Sequence, residues 1–287
     1  MGRYILEACV DSVESAVAAQ KGGADRLELC ANLVIGGTTP SLELYRRVRE
    51  VTNLPVHVLI RPRFGDFLYT QEEYGIMCRQ IRDFTAEGAD AVVIGSLCAD
   101  GSLNEEQMMG MMDAAAGKPV TLHRAFDVCR DPWEALDAAK ALGVHTILTS
   151  GQEANCYDGR ALIGELARKA GSGRDTVAYA GKDGAKTASA DFSSGTVQIM
   201  AGGGVCAEVI ETLMETTSVC AFHMSGKVTL ESGMVYRNPK VNMGLPGISE
   251  FEVWRTSEEA IQRAAAVLKK RCEKMENCKD TMTGKRG

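Results

Sequence analysis

Residues 4–30 read YILEACVDSVESAVAAQKGGADRLELC, and this stretch decides the fold. An apolar strand at residues 4–9 passes into a helix-length segment. A glycine turn, GGAD at residues 22–25, ends that helix, and a second strand follows at residues 26–29. Glycine suits the stop because it adopts the left-handed conformation that caps a helix C-terminus. Nearly the same turn returns 65 residues later as EGAD (87–90), and its theme recurs in AAGKP (115–119) and LGV (142–144).

Working outward, further strand candidates lie at residues 56–60, 91–94, 120–125, 146–149, 197–201 and 221–223. Helical spacing fills the gaps between them. Tyr74, Met77, Ile81 and Phe84 recur every three or four residues, as do Ile261, Ala264 and Leu268 near the end. Asp131 followed by Pro132 marks another helix start, because proline at the first helical position loses no hydrogen bond. Eight strands, each followed by a helix, are the count of an α/β (β/α)8 TIM barrel forming a single domain over residues 1–272. A doubly wound open sheet would show GxGxxG after its first strand, and EACVDSVESA has no glycine there. Residues 171–195 read as a Gly/Ser/Lys-rich insertion, with a short extra strand at 176–180. Residues 273–287 read as a polar, disordered tail.

Forty-five percent of the chain is hydrophobic, and 32 basic residues against 38 acidic give a net charge of −6. No basic stretch is long enough to track a nucleic-acid backbone, and no apolar run spans a bilayer. The start, MGRYILEACVDSVE, turns acidic instead of building an export segment, so a cytoplasmic location is expected. Ten cysteines without a CxxC pair are expected to be reduced and mostly buried, and a structural zinc site is not expected. Assembly into a homo-oligomer is allowed, but the sequence does not specify it.

Strand parity sorts the chemistry. Side chains two apart share a face, so Glu7 and Cys9 point one way from the first strand, and Glu28 and Cys30 from the second. His57, Arg61 and Arg63 share parity along HVLIRPR, and Thr121 and His123 along VTLHRAFD. In a barrel this inward set would hold carboxylates, arginine and histidine, which need one another or a ligand. A structural plug of Glu7, Glu28 and Arg61 competes with a catalytic site of Glu7, Glu28, Arg61, His123 and Asp127. His123 would be the proton-exchanging group. His57 and His145 are expected to be structural.

Ligand contacts are expected from Arg63 and Asp66 in IRPRFGDF, from Arg124, and from Ser150 in LTSGQ. Gly203 and Gly204 in MAGGGV, with Ser225 and Gly226 in HMSG, join them, because glycine turns ahead of helices favour anions. A small anionic, phosphate-sized ligand would fit such a mouth. Cys9 and Cys30, each two residues past a glutamate, are candidate ligands for a soft metal such as Cu(I).

EACVDSVESA, GGADRLELC, GGTTPS, IRPRFGDFLY, TLHRAFD, ILTSGQ, IMAGGG and YRN (236–238), in this order, resemble the CutC family, named for copper homeostasis. The resemblance implies a cytoplasmic (β/α)8 barrel linked to copper tolerance. Cysteines matching Cys9 and Cys30 would be Cu(I) ligands, and Glu7, Glu28, Arg61, Arg63, Asp66, His123, Arg124 and Asp127 would form the polar mouth. The insertion and the tail depart from the family pattern. Two functions follow as expectations: copper homeostasis through the paired cysteines, or an enzyme acting on a small anionic or phosphorylated metabolite.

Overall fold

Every residue of the first barrel strands is buried, because strands ringed by helices outside and side chains inside have no solvent face. The computed structural model describes residues 4–172, 196–238, 240–241, 244 and 247–283. Its barrel strands are β1 (Ile5–Val10), β2 (Arg26–Leu29), β3 (Val56–Leu59) and β4 (Ala91–Ile94), then β5 (Val120–Leu122), β6 (Thr146–Thr149), β7 (Gln198–Gly202) and β8 (Ala221–Met224). They pair in parallel in chain order and close, β8 against β1. The (β/α)8 barrel read from the sequence is the fold.

The helices are α1 (Val13–Gly22), α2 (Leu42–Val51), α3 (Gln71–Ala86), α4 (Glu105–Ala114), α5 (Pro132–Leu142), α6 (Arg160–Lys169), α7 (Ala207–Thr216) and α8 (Glu258–Thr283). Their ends are set by local chemistry. Ser12 caps α1 by accepting from the Ser15 N–H, Thr70 and Glu73 form a capping box on α3, and Asp131 caps α5 ahead of Pro132. Gly23 closes α1 at φ 91°, where a β-carbon would be strained. Outward-facing Leu6, Leu27, Val58 and Leu122 are fully buried against the helix ring. Each such burial contributes about 1.5–3 kcal/mol.

Three local features differ from the sequence expectation. The fifth strand stops at Leu122, and Arg124–Val128 winds into a 3-10 turn with His123 as its N-cap. An antiparallel ribbon unforeseen in the sequence, β9 (Lys227–Glu231) with β10 (Glu252–Thr256), follows the eighth strand. Helix α8 runs on to Thr283, past residue 272. Most of the expected insertion, with its short strand at 176–180, lies outside the described residues. Among the described residues, no helix is long and apolar enough to cross a membrane.

Inside the barrel an apolar cluster of Ile5, Leu148, Met200 and Ala221 is followed toward the mouth by polar side chains. Barrel interiors normally fill with branched aliphatics, so this polar layer is where function is to be sought.

Candidate functional site

Glu7 is the centre of the polar layer and has no solvent exposure. Its Oε2 accepts from Arg26 Nε at 2.5 Å, and its Oε1 lies 2.7 Å from His223 Nδ1. His57 Nδ1 stands 3.5 Å from Oε2. Burial alone would raise the Glu7 carboxyl, but Arg26, His223 and His57 together hold it well below the ordinary range. Burial pulls His223 the other way, and Glu28, Cys9 and Glu7 outweigh it, so the imidazole stays protonated above its usual range. His57, desolvated and facing Arg26, is pushed down to about 3 and stays neutral.

The plug around Glu7 is therefore built with Arg26 and His223, which the sequence did not single out, and Arg61 has no part in it. The register explains the substitution. Glu7 is paired with Arg26 across β1–β2 and with His223 across β1–β8. Strand tilt and stagger shift neighbours by two residues, so equal spacing from a glutamate does not give equal height. Cys9 accordingly stands opposite Glu28, not Cys30.

The thiols nonetheless meet on the diagonal, Cys9 Sγ 3.8 Å from Cys30 Sγ. Cys9 also donates to Glu28 Oε1 at 3.4 Å. One donor atom each from Cys9, Glu28 and His223 lies within 4.8 Å of the others, a spacing that could hold a metal ion. The hydrogen bond with Cys30, burial and the nearby Glu28 all push the Cys9 thiol up. Cys30 is raised as well: its contact with Cys9 pulls down, but burial and Glu28 prevail. A soft ion binding here would displace thiol protons, so its affinity would rise with pH.

Across the mouth, Arg61 and His123 face the same cavity of about 260 Å³, which Cys9, Glu28 and His223 also line. His123 Nδ1 accepts the Ala125 N–H at 3.1 Å. Burial and the Arg61 charge push this histidine down to about 3. In this setting the ring is held neutral, and with Nδ1 accepting from Ala125 its proton sits on Nε2.

Arg61 and Arg63, which parity placed on one face, part company. Strand β3 ends at Leu59, so parity no longer aligns residues 61 and 63. Arg63 turns away to Glu73 (2.5 Å) and Asp66 (3.0 Å), and neither Arg63 nor Asp66 lines the cavity. Asp127 is likewise not His123's partner. It binds Arg124, the Thr149 hydroxyl, and the N–H and hydroxyl of Ser150, clasping the turn after β6. Arg124 also donates to Ser150 Oγ at 2.8 Å. Arg124, Gly203, Gly204 and Ser225 line the cavity rim. Gly226 packs under Ile261 and Met224 instead.

Arg26 carried a readable signal, since it shares parity with Glu28 in RLEL. His223 did too, as the inward residue of AFHM. What the sequence lacked was the closing register that brings both to Glu7.

The sequence profile of the CutC family matches residues 4–190. The human copper homeostasis protein cutC homolog is 38% identical over 93% of this chain and 89% of its own length. A CutC family protein from Bacteroides fragilis is 41% identical over 88% of this chain and 92% of its own. The crystal structure of CutC from Streptococcus agalactiae superposes with a TM-score of 0.65 at 28% identity, covering 77% of this chain and 98% of that one. N-(5'-phosphoribosyl)anthranilate isomerase from Pyrococcus furiosus shares the fold alone, with a TM-score of 0.50 at 13% identity over 93% of this chain and 100% of that one. Profile, relatives and barrel agree over most of the molecule: the chain belongs to the CutC family.

Proposed function

We propose that the protein serves copper homeostasis by holding Cu(I) as cargo at the barrel mouth, through Cys9 and Cys30 with His223 and Glu28 beside them. The observation that carries this is the 3.8 Å approach of two buried thiols next to an imidazole. Thiolates are soft donors and select Cu(I) over hard cations, and an imidazole nitrogen suits it as well. Glu28, with its carboxyl raised by burial despite the opposing charge of His223, is the weaker fourth candidate. Work in the cytoplasm accords with the free, buried thiols of Cys9 and Cys30, since thiols stay reduced there. Family relatives named for copper homeostasis support the same role.

Anaerobic competition for Cu(I) against a chelator is the test, comparing wild type with Cys9→Ser/Cys30→Ser. The double variant is expected to lose at least ~100-fold in affinity, about 2.7 kcal/mol. Equal affinity in both proteins would remove these thiols from any copper role. Self-association is part of the proposal: Leu230, Val235 and Tyr236, on and beside the β9–β10 ribbon, are exposed apolar side chains that a second copy would cover.

A further inference from the structure

Arg61 is 8% exposed, yet among the described residues no carboxylate pairs with it. Its Nη1 donates to the carbonyls of Ile35, Gly36 and Gly37, and its Nη2 to that of Gly65 at 2.8 Å. These neutral dipoles fix the guanidinium without balancing its charge, and although the Tyr69 hydroxyl interacts with it, its buried Nε makes no hydrogen bond among the described residues. An uncompensated buried charge is costly, as is a buried donor left unmet. His123 presents a second case. It is 4% exposed, and because its Nδ1 accepts from Ala125, the ring's proton sits on Nε2. That Nε2 is also buried without a partner.

Both groups line the one cavity, and Phe67 joins them: its ring centroid is 4.9 Å from that of His123 and 5.1 Å from Arg61 Cζ. The ring of His123 is seated on bare backbone, since a β-carbon at Gly95 would fall 2.5 Å from its Cε1. We propose that Arg61 Nε–H and His123 Nε2–H seat a small monocarboxylate, with Phe67, Leu33 and Leu59 against its short apolar body. Two unmet N–H donors beside one cavity match the two oxygens of a carboxylate. Arg124 on the rim is already paired with Asp127, which leaves the Arg61 guanidinium to balance one negative charge and favours a carboxylate over inorganic phosphate. The cavity, of about 260 Å³, is large enough for an acid of a few carbons. The seat uses neither thiol and stands independently of the copper proposal.

The test titrates acetate, propionate, lactate and inorganic phosphate into the metal-free full chain, followed by backbone amide shifts and thermal melts. At least one carboxylate is expected to saturate with a Kd of about 1 mM or tighter, moving the amides of Gly36, Phe67 and His123 and raising Tm. Arg61→Lys keeps the charge and removes Nε–H, and Gly95→Ala displaces the His123 ring. Each is expected to weaken carboxylate binding at least ~10-fold while leaving Cu(I) affinity unchanged. Three results would overturn the inference: no carboxylate moves those amides in wild type, phosphate alone binds, or the folded variants bind as wild type does. Should a variant fail to fold, the wild-type titration still decides.

Discussion

The two arcs of the barrel mouth treat charge differently. On the arc of β8, β1 and β2, Glu7 is answered by Arg26 and His223, and Cys9 bonds to Glu28, so the charges are mostly paired, although Glu28 Oε2 has no partner among the described residues. On the arc after β3 and β5, Arg61 and His123 are held firmly in place, but Arg61 Nε and His123 Nε2 have no partner among the described residues. An arc that balances itself can exchange protons for a soft cation, whereas an arc with unmet donors asks for an anion. Both arcs are largely buried, so the difference lies chiefly in how their charges are paired.

Breaking the first arc should have the largest effect. Glu7→Gln leaves Arg26 and His223 buried without their counter-charge, and is expected to destabilise the fold by about 3–5 kcal/mol in urea titrations. A loss below 1 kcal/mol would mean that Glu7 is not the keystone described. The second prediction follows from the neutral histidines. His57 and His123 are held at about 3, against an ordinary 6.5. Above pH 6.5 both are neutral, folded or unfolded, and their contribution is intact. As pH falls toward their folded values, the unfolded chain takes up two protons that the folded chain refuses. The metal-free protein should therefore lose stability toward acid, by up to about 2.7 kcal/mol per pH unit between pH 6 and 5. Denaturant midpoints measured across that range check it, and a flat profile would contradict the buried neutral state. The smallest effect belongs to Arg63, which lies outside both arcs in a solvated cluster with Asp66 and Glu73. Arg63→Ala should cost no more than about 1 kcal/mol and leave affinity for Cu(I) and for carboxylates unchanged.

Much of this was legible in the sequence because a parallel barrel writes itself twice, in alternation of elements and in parity within strands. Glycine stops and apolar runs located all eight barrel strands, and parity turned Glu7, Cys9, Glu28 and His123 inward. Parity fails where the strand does. Arg61 and Arg63 lie beyond Leu59, and the end of HRAFD winds into a 3-10 turn, so side chains two apart no longer share a face. Register was the other hidden quantity. Nothing in RLEL or AFHM says which glutamate Arg26 and His223 will meet, because barrel stagger is a property of the closed ring.

The seam between β1 and β8 also bears on the order in which the molecule is made. Glu7, Cys9, Arg26, Glu28 and Cys30 all emerge early from a ribosome, while His223 emerges only after about three-quarters of the chain. Contacts this distant in sequence form late, because a long loop must close first. Until β8 docks, Cys9 and Glu28 lack the His223 imidazole. A nascent chain stalled before residue 221 would hold Cys9 and Glu28 without His223, so that group of three comes into being only as the ring shuts.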